Sequence, residues 1–516
     1  MREAHRSRRA LLLAALVVAA LPAGARAAVS CAQLAKVALP NATIAAIEVA
    51  PGQYKVPGRP ERSGMDFAGR QQLPANPAFC RVTAALTPSG DSAIRLEVWL
   101  PLAHWNGKFL AVGNFGWGGG LMYSGMLTGL ADGYATASND TGHDSTKPEE
   151  EGGHFALGHP EKMIDYAYRA DHLMAEDAKT LIQAYYGSAP KRSYWVGCSL
   201  GGVEGLIEAK RYPADFDGIV AGAPPNPITL FNAAQVWPAW VVSQDSSRLI
   251  PKDKFTLIHQ AVLKSCASAI GQKDGVVDQP DQCKFDPVQL QCRGADAPSC
   301  LTAGQVYLMR QIYNGPSNPR THETIFPGPA RGSELDLNGF AGAEAQGVAL
   351  DMFRYAAFQN PDFNWRSMDW DRDISRAVDK IGPLMHVSAA DLKPFFDHGG
   401  KLLMYIGWND YHNPLELAGF YKSLLQQAPK AAGAAKLFEI PGMGHCAGGA
   451  GCDTFNKVGA IDQWVDQGQA PERIVASRVE GDQVVRTRPL CAYPKIAKYS
   501  GSGNTNDASS FLCEME

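Results

Sequence analysis

Hydrophobic and polar positions along the chain follow two periods. In Ala93-Ile-Arg-Leu-Glu-Val-Trp-Leu100 apolar and polar residues alternate, the period of two that turns one face of a β-strand toward a core. Other apolar stretches are short and mostly continuous: Phe109 to Val112, Tyr194 to Val196, Gly218 to Ala223, Leu402 to Ile406 and Leu437 to Ile440. Bounded by Gly, Pro and charged residues, they suit strands buried on both faces of a sheet. Between Val203 and Lys210 the spacing becomes helical, with Leu206, Ile207 and Ala209 as its apolar positions. Strand runs that give way to helical spacing predict an α/β protein.

Where the strand at Tyr194 meets that helix, the chain reads Gly197-Cys198-Ser199-Leu200-Gly201-Gly202. Gly-x-Ser-x-Gly is weak by itself in a chain with 52 glycines, where it can be a plain strand-to-helix connection. In this setting it predicts a nucleophilic serine on a tight turn, with glycines where backbone meets backbone. The N–H of Leu200, at the helix N-terminus, then faces a developing oxyanion. The partners follow in the order Ser, Asp, His that this arrangement requires. Asp410 ends the apolar run from Lys401, and His445 ends the run from Lys436 in a Gly-rich loop. His445 is expected to take the proton of Ser199, and Asp410 to hold the imidazole tautomer. Cys446 follows the expected base as Cys198 precedes the expected nucleophile, so a Cys198–Cys446 disulfide is expected if the two side chains meet. The competing pairing joins Cys446 to Cys452.

These motifs are similar to those of the tannase and feruloyl esterase family of secreted serine esterases, which also contains terephthalate monoester hydrolases. The resemblance rests on Gly-Cys198-Ser199-Leu-Gly-Gly, Gly-Trp-Asn-Asp410 and Gly-His445-Cys446. Trp105-Asn-Gly-Lys-Phe-Leu and Gly113-Asn-Phe-Gly-Trp-Gly-Gly-Gly120 extend it upstream, over most of the chain. It implies an α/β-hydrolase fold with a large inserted lid domain and hydrolysis of esters of aromatic acids. It also implies Gly116 as the second oxyanion donor beside Leu200, although the first of the family's two glycines after Asn114 is Phe115 here. The glycine run lacks the Lys-Ser/Thr ending of a phosphate loop. Proximity and resemblance suggest the pairs Cys31–Cys80, Cys266–Cys283, Cys292–Cys300 and Cys491–Cys513, leaving Cys452 over. The resemblance places a structural calcium between Cys266 and Cys283. Its acidic positions are Ala267 and Ile270 in this chain, and of the carboxylates only Asp274 matches, with Asp278 and Asp281 beyond the pattern. Weak calcium binding or none is expected, and no cofactor is required.

From about Pro225 to Phe395 the pattern changes, with four cysteines, many Pro and Asp, and Trp237, Trp240, Phe358, Trp365 and Trp370. We expect residues 225–395 to form the lid, its aromatics mostly packed in its own core. Residues 28–224 and 396–516 then form the catalytic domain. Residues from about 30 to 90 read as a structural extension. The segment after Asp462 reads as a closing helix, a strand pair over Val479 to Arg488 and a stapled tail.

Composition narrows the function. A hydrophobic fraction of 45% with 19% charged residues and a net charge of −4 gives no reason to expect nucleic acid or an anionic membrane as partner. Arg6, Arg8 and Arg9, an apolar stretch from Ala10 to Ala20 and Ala25-Arg-Ala27 read as a signal peptide, residues 1–27, cleaved after Ala27. Eleven cysteines agree with a periplasmic or extracellular destination. The expected reading is a secreted serine esterase acting on a small aromatic ester. A repurposed binding protein on the same scaffold is the alternative, and oligomeric state is not legible.

Overall fold

A computed structural model describes residues 28–57, 69–70, 73–337 and 339–515. The expected signal peptide, residues 1–27, lies outside the described residues. The apolar runs become the middle of a nine-stranded sheet. Its strands are β1 (Ala42–Val49), β2 (Phe79–Leu86), β3 (Ile94–Pro101), β4 (Lys108–Val112), β5 (Ala135–Asn139), β6 (Arg192–Cys198), β7 (Gly218–Gly222), β8 (Lys401–Gly407) and β9 (Ala435–Ile440). They lie in the order β1-β2-β3-β5-β4-β6-β7-β8-β9. From β5 to β9 all neighbours are parallel, while β1, β2 and β3 form an antiparallel flank that meets β5 antiparallel. The central parallel strands have helices on their faces and are buried apart from Arg192 and Lys401 at the starts of β6 and β8, which is why their sequences are continuous rather than alternating. This mixed sheet with its helices is an α/β-hydrolase fold.

Two local readings differ from what the sequence suggests. The region read as an extension supplies two strands of the sheet, β1 and β2, which continue its pairing outward from β3. In β3 the alternation does not mark a solvent face: Glu97 is buried, accepting from Arg81 Nε at 2.8 Å and from Trp99 Nε1 at 2.8 Å. Strand β2 supplies the arginine that makes the buried carboxylate tolerable. At the other end, the closing helix spans Lys457–Gln467 and starts before Asp462, where the Asn456 side chain accepts from Gly459 N–H. A hairpin of β10 (Arg473–Glu480) and β11 (Gln483–Cys491) follows, then β12 (Lys495–Tyr499) paired with β13 (Phe511–Met515).

Among the described residues the segment between β7 and β8 is helical or irregular, including helices Ile228–Gln244, Lys252–Cys266, Ala303–Asn314 and Arg372–Met385. Trp237, Trp240 and Trp370 pack on one another with ring centres 4.7 to 5.5 Å apart, so these large side chains serve the interior of the insert. The disulfides are Cys31–Cys80, Cys198–Cys446, Cys266–Cys283, Cys292–Cys300 and Cys491–Cys513, and Cys452 is a buried thiol. Among the described residues no helix is long and apolar enough to cross a membrane.

Candidate active site

The carboxyl ends of β6, β7, β8 and β9 lie side by side. Cys198 is opposite Gly222, Gly222 opposite Tyr405, and Gly407 opposite Ile440. Loops leaving these ends therefore converge. Ser199 follows β6 directly, with φ 62° and ψ −124°, before the helix Leu200–Arg211 begins. A side chain cannot easily hold this left-handed conformation, and the surroundings enforce it. Ser199 N–H donates to Gly222 O at 2.9 Å, and Gly201 N–H donates to Asn114 O at 2.7 Å. A Cβ on Gly197 would come within 2.3 Å of Gly201 O, and one on Gly202 within 2.2 Å of Gly222 O. Both glycines are there because backbone occupies the space a methyl group needs.

The glycine loop after β4 lies against this turn: a Cβ on Gly201 would be 2.9 Å from both Asn114 O and Gly113 C. Gly116, farther along the loop, is exposed with φ 57°, and its carbonyl accepts from the Tyr166 hydroxyl at 3.4 Å. Among the described backbone hydrogen bonds none uses the Leu200 N–H, which points out of the first helical turn.

Asp410 follows β8, is fully buried, and lies 2.9 and 3.0 Å from Nδ1 of His445. Since a carboxylate only accepts, Nδ1 carries the proton and the lone pair of the ring is at Nε2. Burial raises the Asp410 carboxyl, but the His445 imidazole, its hydrogen bond and His412 outweigh that and hold it below the ordinary carboxylate range. His445 is reached from β9 by a loop stitched to β8: Asn409 N–H donates to Met443 O at 3.0 Å, and Gly407 leaves no room beside Met443 O for a Cβ. Cys446, at φ 63°, is bonded to Cys198, with Cα atoms 6.0 Å apart. The structure thus brings the residue before Ser199 and the residue after His445 into covalent contact.

The sequence reading missed His412. Its backbone N–H donates to Asp410 Oδ1 at 2.8 Å, its Nδ1–H donates to Ala223 O at 2.8 Å, and its ring centre is 3.9 Å from that of His445. Burial and the adjacent His445 push its pKa down to about 3, so the ring stays neutral. An Asp-x-His spacing was the available signal, but with 12 histidines in the chain it singles nothing out without the fold. Beside it, the Tyr411 ring centre lies 4.9 Å from His445 and 4.4 Å from Phe340 of the insert, while Phe231 is 4.2 Å from His412.

The residues of the expected calcium loop do not suit a cation. Asp274 Oδ1 is 3.0 Å from Arg486 Nη1 and its Oδ2 is 2.5 Å from Arg488 Nη2, so two guanidinium groups already neutralise the carboxylate that the pattern retains. Asp278 accepts from Ser268 N–H at 3.1 Å. Arg486 also donates to Ala450 O, so the arginine tethers the insert to the loop that carries His445.

Comparisons with known proteins agree with this fold. Residues 80–514 match the family described as tannase and feruloyl esterase. An uncharacterized esterase of Xanthomonas campestris pv. campestris is 35% identical over 98% of this chain and 94% of its own length. A mono(2-hydroxyethyl) terephthalate hydrolase of Piscinibacter sakaiensis is 31% identical over 85% of each chain. The crystal structure of feruloyl esterase B from Aspergillus oryzae superposes with a TM-score of 0.83 at 27% identity, covering 94% of this chain and 99% of that one. The chain belongs to the tannase and feruloyl esterase family and is a carboxylic ester hydrolase.

Proposed function

We propose that this enzyme is a secreted serine esterase that cleaves esters of aromatic acids, of feruloyl, galloyl or terephthalate monoester type, through an acyl-enzyme. The observation that carries the reading is the pairing of Asp410 with His445 Nδ1, joined to the Ser199 turn by the Cys198–Cys446 bridge. In this reading Nε2 of His445 takes the Ser199 proton as the serine oxygen attacks the ester carbonyl. The N–H groups of Leu200 and Gly116 receive the negative charge on the carbonyl oxygen, and His445 then protonates the departing alcohol. Water repeats the sequence on the acyl-serine and releases the acid. Residues 225–395 act as the lid, and the rings of Phe231, Phe340 and Tyr411 beside the relay favour an aromatic acyl group. Aromatic specificity is supported by the terephthalate ester hydrolase and feruloyl esterase relatives. No step uses a metal.

The test is pre-steady-state release of nitrophenol from a nitrophenyl ester of an aromatic acid, with methyl ferulate, methyl gallate and a terephthalate monoester compared at steady state. A burst of about one equivalent per chain is expected, and Ser199→Ala should lower turnover by about 10⁴-fold or more. A wild-type enzyme inert across the panel would overturn the aromatic-ester reading.

A further inference from the structure

Nine residues after Ser199, about 13 Å along the same helix, lies a carboxylate that the chemistry above does not use. Glu208 is 1% exposed, and neither of its carboxylate oxygens has a hydrogen-bond partner in the structure. A buried acid left without a partner is costly and calls for a ligand. Two side chains from other elements face it. One ligand atom from each of His172, Glu208 and Asp215 lies within 4.8 Å of the others.

We propose that His172, Glu208 and Asp215 form a binding site for one divalent transition-metal ion. The three groups come from the helix Ala170–Tyr186, the nucleophile helix and the turn before β7. His172 is held in place: its ring stacks on Tyr212 with centres 3.6 Å apart, and its Nδ1 is 2.7 Å from Asp215 Oδ2. One ammonium borders the cluster: Lys179 Nζ is 2.6 Å from Asp215 O and 3.4 Å from its Oδ1, whereas no hydrogen bond reaches either carboxyl oxygen of Glu208. One imidazole with two carboxylates suits Zn²⁺ or Mn²⁺, whereas Ca²⁺ and Mg²⁺ favour oxygen ligands throughout. The His172 and Asp215 side chains are 21% and 14% exposed, which leaves an entry from solvent to the buried Glu208. Binding displaces the protons held by the free ligands and cross-links the helix behind Ser199 to its neighbours, without taking part in hydrolysis.

The test uses the oxidised full-length mature enzyme, stripped with a chelator, desalted and incubated with ZnCl₂ or MnCl₂. Metal content per chain after gel filtration and the thermal midpoint are both measured. About one equivalent should be retained, with a midpoint rise of at least about 3 °C. Glu208→Gln and Asp215→Asn should each lose both effects, and His445→Ala should keep them. If Glu208→Gln does not fold, Asp215→Asn decides, because its side chain is partly at the surface. The proposal is overturned if the wild type retains no metal or if uptake survives in Asp215→Asn. It is equally overturned if uptake is lost in His445→Ala, which would place the ion at Asp410, His412 and His445, whose ligand atoms are similarly close.

Discussion

Ser199 at φ 62° and Cys446 at φ 63° are two non-glycine residues in the left-handed region, the first next to one half of a disulfide and the second its other half. Such backbone persists only where the surroundings over-determine it. Hydrogen bonds to Gly222 and Asn114 do so at the serine turn. His412 performs a comparable task for the acid and base: its side chain is tied to Ala223 O while its ring lies on His445. Replacing it with Leu removes the tie and leaves the backbone bond to Asp410. We expect kcat to fall roughly 10- to 100-fold with KM little changed, since small misplacements of a base are costly. Rate profiles over pH 5 to 9 check this, and an unchanged kcat at an unchanged midpoint refutes it. The positions of Ser199, Asp410 and His445 at strand ends were legible because each ends an apolar run in a tight turn. His412 was not, since its importance lies in a stacking contact across two chain segments.

Loops gain their rigidity from what crosses them. The Cys198–Cys446 bridge spans 248 positions and joins the end of β6 to the loop that follows β9. Cys446→Ser, or mild reduction, should abolish most esterase activity at concentrations of reductant that leave the far-UV circular dichroism intact. Parallel loss of both signals would mean that the bridge serves global stability alone. Asn413 anchors the acid loop from the other side: its Nδ2 donates to Pro327 O and Gly328 O of the insert, while Oδ1 accepts from Leu415 N–H and Glu416 N–H at the next helix. The pairing of Asp274 with Arg486 and Arg488 joins the insert to β11 with guanidinium groups where the family resemblance implies a cation. Strand runs predicted these elements, but the partners of Asp274 lie more than two hundred positions away, beyond any local pattern.

Across the whole molecule, acids buried beside the nucleophile helix couple stability to pH. Burial raises Asp171 from 3.8 to about 7, although its carboxylate accepts from Asn139 Nδ2 at 2.8 Å. Burial likewise raises Glu204 well above its ordinary value. The folded chain therefore holds a proton on Asp171 that the unfolded chain has released. Stability from this group is fully present below about 4 and is lost as pH rises through about 7. With chelator present, the thermal midpoint should fall between pH 5 and pH 8, and fall less in Asp171→Asn, which keeps an acceptor oxygen for Asn139. Equal declines in the two proteins would contradict the assignment. The order of residues by itself determined the strands, the serine turn and the succession Ser199, Asp410, His445 at strand ends. Periodicity and glycine sterics act over a few neighbouring positions and are therefore written locally. Only the tertiary structure decided that β1 and β2 extend the sheet, that arginines neutralise Asp274, and that His412 lies on His445. Those outcomes depend on burial and on contacts between distant segments, which exist only once the sheet has brought the ends of its strands together.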